Sequence, residues 1–246
     1  MKVGILIIAT GRYEQFFEQL YDSFEEFCLP GYEKKYFYLT DSDKEDLPYN
    51  VEKYYITRLG FPYDTLYRYK YFLSIEEEIL NSGVDCLFYT DIDMKAIYKL
   101  GDEILPTFET PLIAVAHPGF YKKGRGTPET RKISKAYISP FEHRDYYIAG
   151  GFQGGFTKEY LKASKIMNEM IDIDYSKGII PIWNDESIWN RYYTSNLKQF
   201  KILSPSYVYP ESKYKNLYST NHYKQLNNLK PILLALDKNH KYFRSN

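Results

Sequence analysis

The stretch KVGILIIAT at residues 2–10 decides the class of fold, because its continuous run of β-branched and aliphatic residues predicts a buried strand. Residues 13–29 follow with large apolar side chains on one helical face and acids on the other, and Pro30-Gly31 predicts the end of this helix. Further strand patterns occur at residues 34–40, 51–59, 85–92 and 111–118. Strands that alternate with helices predict an α/β fold whose sheet is mostly parallel in its first half.

Later helices are predicted at residues 64–81, 157–172 and 185–196. Asp64 and Thr65 are predicted to cap the first of these. Before the second, residues 146–157 predict a strand that paired glycines interrupt. The chain shows no internal repeat and no interdomain linker, so its 246 residues predict a single domain.

The composition argues against several classes of protein. Lys plus Arg and Asp plus Glu are equal at 32 each, so no net charge favours nucleic acid as a partner. No apolar run approaches the ~18–20 residues that span a bilayer, and the apolar start is too short for a signal peptide, so we expect a soluble, cytoplasmic protein. Cys28 and Cys86 lie in apolar runs without disulfide or metal-binding spacing.

Two further features are compatible with a sugar-phosphate ligand without requiring one. The 28 Tyr and 15 Phe residues suit sugar binding, but they equally suit a biased codon usage. After Glu211 the chain carries seven Lys and Arg residues against the single acid Asp237. Such a basic tail suits a phosphate-bearing ligand, and a merely solvated tail is the alternative.

Three Asp-x-Asp pairs have the spacing of a divalent-cation site, at residues 41–43, 91–93 and 172–174. The last pair ends a predicted helix, where carboxylates are usually solvated. The other two follow predicted strands, and ligands of open α/β sheets lie outside the carboxyl ends of strands. Asp43 leads into a charged loop, which predicts a surface position, whereas Asp93 leads into a more apolar segment, which predicts partial enclosure.

Two enclosed carboxylates about 4 Å apart would repel by roughly 4 kcal/mol at an effective dielectric constant of 20. A divalent cation removes that repulsion and can act as a Lewis acid for a diphosphate leaving group. The residues by themselves therefore favour Asp91 and Asp93 as the metal site, with a solvated or capping pair as the alternative.

Several later motifs form a set that resembles a known family. They are FYTDID (88–93), HPGFY (117–121), YYIAGGFQGG (146–155), IPIWNDES (180–187), LSPSYVYPE (203–211) and DKNHKYFR (237–244). In this order they resemble glycosyltransferase family 6, the family of the histo-blood-group A and B transferases and the α-1,3-galactosyltransferases. The resemblance extends from Val3 to Arg244.

The resemblance implies a GT-A fold and the retaining transfer of galactose or N-acetylgalactosamine (GalNAc) from a UDP-sugar to an oligosaccharide. It implies that Asp91 and Asp93 hold Mn²⁺ or another divalent cation together with the UDP diphosphate. Some bacterial members have asparagines at this pair and work without metal, so the two aspartates imply metal dependence. Within the single domain it implies a nucleotide-binding half (about 1–95), an acceptor and catalytic half (about 96–235) and a basic closing segment (236–246).

The resemblance also implies roles for individual residues. Glu186 matches the catalytic glutamate, which acts on the anomeric carbon as a nucleophile or stabilises an ion-pair-like transition state. The implied donor-binding residues are Ile8, Ala9, Thr10, Tyr13, Arg68, Asp91, Ile92, Asp93, Ala149, Gly150, Gly151, Asp185, Lys238 and Arg244. The implied acceptor-binding residues are His117, Thr127, Trp183 and Glu186.

Plainer explanations exist for several of these residues. Acids such as Asp185 and Glu186 are common at a helix N-terminus without any function. Arg68 has the alternative of a helix-surface position, Trp183 that of core packing, and His117 that of a turn residue before a proline.

The implied donor preference depends on Gly151, because a small residue at this position leaves room for an N-acetyl group. GalNAc is therefore the expected sugar, with galactose as the alternative. Two departures from the family pattern affect the site: Asn184 replaces a histidine and Pro128 replaces a tyrosine. The chain also lacks the Golgi anchor and stem of the animal enzymes, so a bacterial or phage protein is expected. A UDP-sugar or glycan-binding protein without turnover and a glycoside hydrolase are the alternatives of other classes.

Overall fold

The computed structural model describes residues 1–216 and 223–244. Its strands are β1 (Lys2–Ala9), β2 (Glu33–Thr40), β3 (Val51–Tyr55), β4 (Cys86–Thr90), β5 (Met94–Ala96), β6 (Leu112–Ala116), β7 (Ile148–Phe156), β8 (Phe200–Leu203), β9 (Tyr209–Pro210) and β10 (Leu233–Ala235). Its α-helices are α1 (Phe17–Phe27), α2 (Tyr63–Leu66), α3 (Arg68–Leu73), α4 (Glu76–Asn81), α5 (Thr157–Ser176), α6 (Asn184–Ser195), α7 (Glu211–Tyr214) and α8 (His240–Arg244). A 3₁₀ helix (Gly11–Phe16) joins β1 to α1.

The main sheet has the strand order β3-β2-β1-β4-β7-β6-β8. The central strand β1 pairs in parallel with β2 and β4, and β2 pairs in parallel with β3. In the second half β7 runs antiparallel to both β4 and β6, while β8 is parallel to β6. The predicted α/β class and the mostly parallel sheet are confirmed, and the arrangement is consistent with the GT-A fold.

Alternate side chains of β1 point to opposite faces of the main sheet, so the core lies in two layers. Val3, Ile5 and Ile7 pack with Phe17 and other apolar residues of α1 on one face of the sheet. Leu6 points to the opposite face, where α3, α5 and α6 contribute buried aromatic side chains. The predicted burial of this strand is confirmed, and its carboxyl end is thereby fixed beside that of β4. In the described residues no helix is both long and apolar enough to cross a membrane.

A small second sheet brings the C-terminal region back to the end of β4. β10 pairs antiparallel with β5, which follows directly on the aspartate pair, and β9 pairs with β10 in parallel. The backbone N–H of Leu236 also donates a hydrogen bond to the carbonyl of Asp93, at 2.9 Å. The C-terminal basic residues therefore lie close to Asp93.

Three of the predicted helices differ from the observed ones. The first, predicted at residues 13–29, begins as the 3₁₀ helix Gly11–Phe16 and continues as α1 (Phe17–Phe27). The helix predicted at residues 64–81 is broken into α2, α3 and α4, and its predicted cap is wrong. Asp64 instead accepts hydrogen bonds from the backbone N–H of Leu59 (2.7 Å) and of Gly60 (3.1 Å). The helix α5 extends to Ser176 rather than about Asp172, and Asp174, three residues after Ile171, continues its buried side.

The prediction that the 172–174 pair is solvated is also wrong for one of its members. Asp174 is fully buried, and its carboxylate accepts hydrogen bonds from the Ser134 hydroxyl (2.5 Å) and the Lys135 backbone N–H (2.7 Å). Its role is therefore structural. In the pair at residues 41–43, Asp41 accepts a hydrogen bond from the Gly11 N–H (2.7 Å), and Asp43 is exposed.

Candidate active site

A cavity of about 570 Å³ opens at the carboxyl ends of β1 and β4, which is within the usual size range of a small-molecule site. Most of the predicted site residues line it: Ile8, Thr10, Tyr13, Arg68, Asp91, Ile92, Asp93, His117, Thr127, Gly150, Gly151, Trp183, Asp185, Glu186, Lys238 and Arg244. Ala9 and Ala149 are not part of the lining, because both side chains are buried in the core layer that contains α1.

Asp91 lies directly after β4 and is held by several groups. Its backbone N–H donates to the carbonyl of Gly151 (2.8 Å). Its Oδ1 accepts hydrogen bonds from the Tyr89 hydroxyl (2.6 Å) and from Nη2 of Arg68 (3.0 Å). The Arg68 guanidinium also lies over the Tyr89 ring, 4.0 Å from its centre. Tyr89 was not predicted from the sequence, although its position two residues before Asp91 places both side chains on one face of the strand.

Asp93 is more deeply buried than Asp91, with 6% of its surface exposed. Its carboxylate forms an ion pair with the ammonium of Lys238, which comes from the C-terminal segment. Burial raises the pKa of Asp93 and the nearby Asp91 adds to this, while Lys238 opposes it. The structure thus brings both aspartates and a basic residue of the C-terminal segment together.

Arg68 joins the aspartate pair to the helix that carries Asp185 and Glu186. The side chain is almost fully buried, and its Nη1 donates a hydrogen bond to the Gly150 carbonyl (2.6 Å). The same nitrogen lies 3.0 Å from Oδ2 of Asp185, which forms an ion pair with it. Asp185 is itself buried, at 2% exposure, so this ion pair lies in the interior beside the cavity. The surface alternative for Arg68 is therefore excluded.

Asp185 and Glu186 lie in the first turn of α6, which begins at Asn184. Burial raises the pKa of Asp185 to about 6, against the opposing effect of Arg68. Burial also raises the pKa of Glu186 to about 7, although the Gly150 N–H, which donates to Oε2 at 3.0 Å, opposes the shift. Two carboxyl groups with displaced pKa values in one cavity are typical of a functional site.

The end of the cavity beyond Glu186 is aromatic. His117 packs against Phe120 with ring centres 4.9 Å apart, and burial lowers the pKa of His117 to about 4, so its imidazole is neutral. Trp183 is 49% exposed, and its indole N–H donates to the Thr127 hydroxyl at 2.8 Å. Flat, half-exposed aromatic surface beside polar groups is suited to a sugar ring. The core-packing alternative for Trp183 is excluded by its exposure.

The helix α8 closes another part of the cavity. Phe243 packs on the rings of Tyr13 (5.1 Å) and Phe16 (5.0 Å). The guanidinium of Arg244 lies 3.7 Å from the centre of the Phe61 ring. Thr10 donates its hydroxyl hydrogen to Asp64 at 2.8 Å, which ties the end of β1 to α2. Asp64 and Phe61 belong to the cavity but were not predicted, because no local pattern relates them to the end of β1.

The residues at the centre of the cavity fit a divalent cation bound together with a diphosphate. Two carboxylates are hard oxygen ligands, and a cation held by one or two carboxylates plus phosphate oxygens is common in nucleotide sites. The described part of the chain contains no group of three or more His, Cys, Asp and Glu side chains suited to a metal. A Cβ on Gly151 would lie 3.1 Å from Oδ2 of Asp91, so glycine keeps the space beside this oxygen open.

Comparison with known proteins identifies the family. A model described as glycosyltransferase family 6 matches residues 65–244. The O-antigen biosynthesis glycosyltransferase WbnI of Escherichia coli is 32% identical over 222 residues, which is 88% of this chain and 91% of that protein. The histo-blood group ABO system transferase 1 of Rattus norvegicus is 31% identical over 218 residues, or 85% of this chain.

A third relative is the globoside alpha-1,3-N-acetylgalactosaminyltransferase 1 of Gallus gallus, 29% identical over 229 residues and 87% of this chain. The chain spans 61% of the length of the rat protein and 64% of that of the chicken protein. The family match covers most of the chain, including the aspartate pair and the α6 carboxylates. The chain belongs to glycosyltransferase family 6.

Proposed function

We propose that the protein is a retaining glycosyltransferase that transfers GalNAc from UDP-GalNAc, in α-1,3 linkage, to a galactose acceptor. A galactose with an α-1,2-linked fucose is the first acceptor to test. UDP-galactose is the alternative donor. The observation that carries the proposal is the placement of Glu186, Asp185, Arg68 and the aspartate pair around one cavity. The names of several relatives, which include an α-1,3-N-acetylgalactosaminyltransferase, are compatible with it.

The half of the cavity between β1 and α8 is suited to the nucleotide. Thr10 and Tyr13 offer a hydroxyl and an aromatic face there, and Phe243 of α8 covers Tyr13. Lys238 and Arg244 are cations on the same side, and a departing UDP carries negative charge. Cations placed where charge develops lower the barrier to its departure. A segment that closes over the site also excludes water, which protects the donor from hydrolysis.

Asp91 and Asp93 are the residues that would hold a divalent cation. When bound, the cation would supply Lewis-acid stabilisation of the UDP diphosphate. Arg68 forms an ion pair with Asp91, and Lys238 forms one with Asp93. We therefore expect the cation and the diphosphate to change the partners of Lys238 on binding, because phosphate oxygens are an alternative anionic partner for its ammonium.

Glu186 is the residue that would act on the anomeric carbon. Only the carboxylate form can attack as a nucleophile or stabilise positive charge on the sugar. With a pKa of about 7, this group is partly ionised at neutral pH, and the Gly150 N–H helps to hold the charged form. Asp185, which lines the cavity next to Glu186, is the residue that would bind a hydroxyl of the donor sugar.

The proposed choice of GalNAc depends on Gly151. A Cβ here would lie 3.1 Å from both Oδ2 of Asp91 and Cε of Met94, closer than ordinary contact. A side chain would thus reduce the space next to the donor site and also disturb the metal-binding carboxylate. The acceptor would lie against Trp183 and His117, which line the cavity together with Glu186. A neutral His117 can accept or donate one hydrogen bond to an acceptor hydroxyl.

The test is the release of UDP from UDP-GalNAc and from UDP-galactose, each with and without fucosylated lactose and with Mn²⁺ or a chelator. We expect acceptor-dependent release that is faster with UDP-GalNAc and is lost with the chelator. Release that the chelator leaves unchanged would refute the metal assignment alone. The absence of UDP release with either donor under every condition would refute transferase activity.

A further inference from the structure

Tyr147 is a buried residue next to Glu186 that neither the sequence nor the proposed function has assigned. It directly precedes β7 and is 2% exposed. Within the described residues its hydroxyl has no partner in full hydrogen-bond geometry, although Glu186 and Thr127 lie close enough to affect its pKa. A buried hydroxyl without a partner lowers stability, so such a group needs an explanation in the chemistry of the site.

The ring of Tyr147 supports the wall of the cavity that the proposed acceptor would contact. It makes edge-to-face contacts with His117 (5.7 Å between ring centres) and Phe120 (5.2 Å). Its backbone carbonyl also accepts a hydrogen bond from the His117 N–H at 2.8 Å. The position of the acceptor wall is therefore coupled to the position of this ring.

A third contact comes from the loop that leads to Thr127. Gly126 has φ +67°, and a Cβ placed on it would lie 2.3 Å from Cγ of Tyr147. The loop backbone thus packs directly on the ring, which only glycine permits at this position. Any displacement of Tyr147 would therefore move Thr127. Trp183 would follow, because its indole N–H donates a hydrogen bond to the Thr127 hydroxyl.

The hydroxyl end of Tyr147 lies beside the α6 carboxylates. After burial, the nearby Glu186 is the largest cause of the raised pKa of Tyr147. The hydroxyl therefore keeps its proton at every working pH and is available as a donor. The other charged or polar groups that face Glu186 are Asp185, Arg68 and the Gly150 N–H. Of these, only the Gly150 N–H is seen to donate directly to the carboxylate within the described residues.

We infer that Tyr147 is a positioning residue, which donates its hydroxyl hydrogen to Glu186 both before and after the substrates bind and thereby fixes the carboxylate relative to the acceptor wall. This inference rests on the proposed function of Glu186. The hydroxyl lies close enough to the carboxylate to lower the pKa of Glu186. With the Gly150 N–H as the first donor, the Tyr147 hydroxyl would be a second donor that orients the Glu186 carboxylate and favours its charged form.

The test compares Tyr147→Phe with the wild type and with Tyr146→Phe as the matched control. Tyr146 is the preceding residue, is 38% exposed and packs on Tyr121 outside the cavity. We expect Tyr147→Phe to lower kcat by about tenfold or more, because a donor to a reacting group is lost. The acid limb of the pH profile should move up by about one pH unit. Binding of UDP, measured by calorimetry, should change less than about twofold.

Several outcomes would overturn the inference. One is a Tyr147→Phe protein with the kcat and acid limb of the wild type. Another is a loss of UDP binding in parallel with transfer, since that would mean a structural role. Tyr146→Phe is expected to behave as the wild type, and an equal loss there would also refute a specific effect.

A second measurement keeps this inference separate from the proposed function. The pH dependence of the unfolding temperature reports the titration of Glu186 without any turnover. If the wild type transferred no sugar, the proposed function would fail. The contact between Tyr147 and Glu186 would still be tested, because Tyr147→Phe should shift this titration to higher pH. An unchanged titration would refute the contact.

Discussion

Replacement of Glu186 by glutamine is expected to abolish transfer and, at the same time, to stabilise the folded protein at neutral and alkaline pH. The reason is the displaced pKa of the carboxyl group. Burial raises it from 4.5 to about 7, against the opposing effect of the Gly150 N–H. A neutral amide of nearly the same shape avoids the cost of a buried charge, but it cannot act on the anomeric carbon.

The sign and size of the effect follow from proton linkage. Because the folded-state pKa is the higher one, the contribution to stability is fully present below about pH 4.5 and is lost as the pH rises through 7. A difference of about 2.5 pH units corresponds to about 3 kcal/mol. The side chain is partly exposed, so solvent screening reduces this to about 1–2 kcal/mol. For a chain of this length, that is about 2–8 °C in unfolding temperature.

The assay is thermal unfolding between pH 5 and pH 8.5 without UDP or metal. The advantage of Glu186→Gln over the wild type should be small at pH 5 and should increase up to pH 8. The control is Glu169→Gln, which removes an exposed carboxylate from α5. Its unfolding temperature should follow the wild type at every pH. If the unfolding temperatures of Glu186→Gln and the wild type differed by the same amount at every pH, the electrostatic account of this site would be refuted, whatever the activity.

The remaining predictions concern the donor end of the cavity. Asp93→Asn should remove the dependence of UDP affinity on Mn²⁺, measured by calorimetry, because one of two carboxylates is lost; affinity that still rises with Mn²⁺ would contradict the assignment. Gly151→Ala should lower kcat/KM for UDP-GalNAc about 10-fold or more relative to UDP-galactose, since its Cβ would lie 3.1 Å from Asp91 Oδ2. An unchanged ratio of kcat/KM for the two donors would show that Gly151 does not select the sugar. Phe243→Ala should raise the KM for the donor about 10-fold, because α8 loses its ring contacts with Tyr13 and Phe16; a donor KM equal to that of the wild type would exclude α8 from closure.

The sequence predicted the parts of the fold that depend on local pattern. The run at residues 2–10 predicted β1 because an unbroken aliphatic strand must be buried on both faces, and its neighbours followed from the same argument. The break of the 64–81 helix into three was not predictable in this way. Asp64 bonds to Thr10, which is far away in the sequence, and to the loop before α2, so tertiary contacts override its capping preference.

The candidate site was predictable where motifs mark the ends of elements. Asp91 and Glu186 each lie at such an end, after β4 and at the start of α6. Position at a strand end does not separate Asp91 from Asp41. The segments that follow the two pairs favour Asp91, and the ordered motifs downstream strengthen that choice. The structure adds that Asp41 holds the backbone of Gly11, a structural task that the sequence does not signal.

Residues that act through distant partners were missed. Tyr89 is near Asp91 in sequence, yet its hydrogen bond depends on the strand geometry that places both on one face. Tyr147 lies next to His117, Gly126 and Glu186, which belong to three separate segments of the chain. No periodicity or spacing brings such residues together, because their proximity arises only when β7 is inserted between β4 and β6.

The central claim is that this cavity transfers a sugar from a UDP donor with retention at the anomeric carbon. The measurement that tests it most directly is proton NMR of a reaction that contains UDP-GalNAc, fucosylated lactose and Mn²⁺. The account predicts free UDP together with a product whose new linkage is α and is attached to O3 of galactose. A β-linked product, or a donor that stays intact while the protein binds it, would contradict the account.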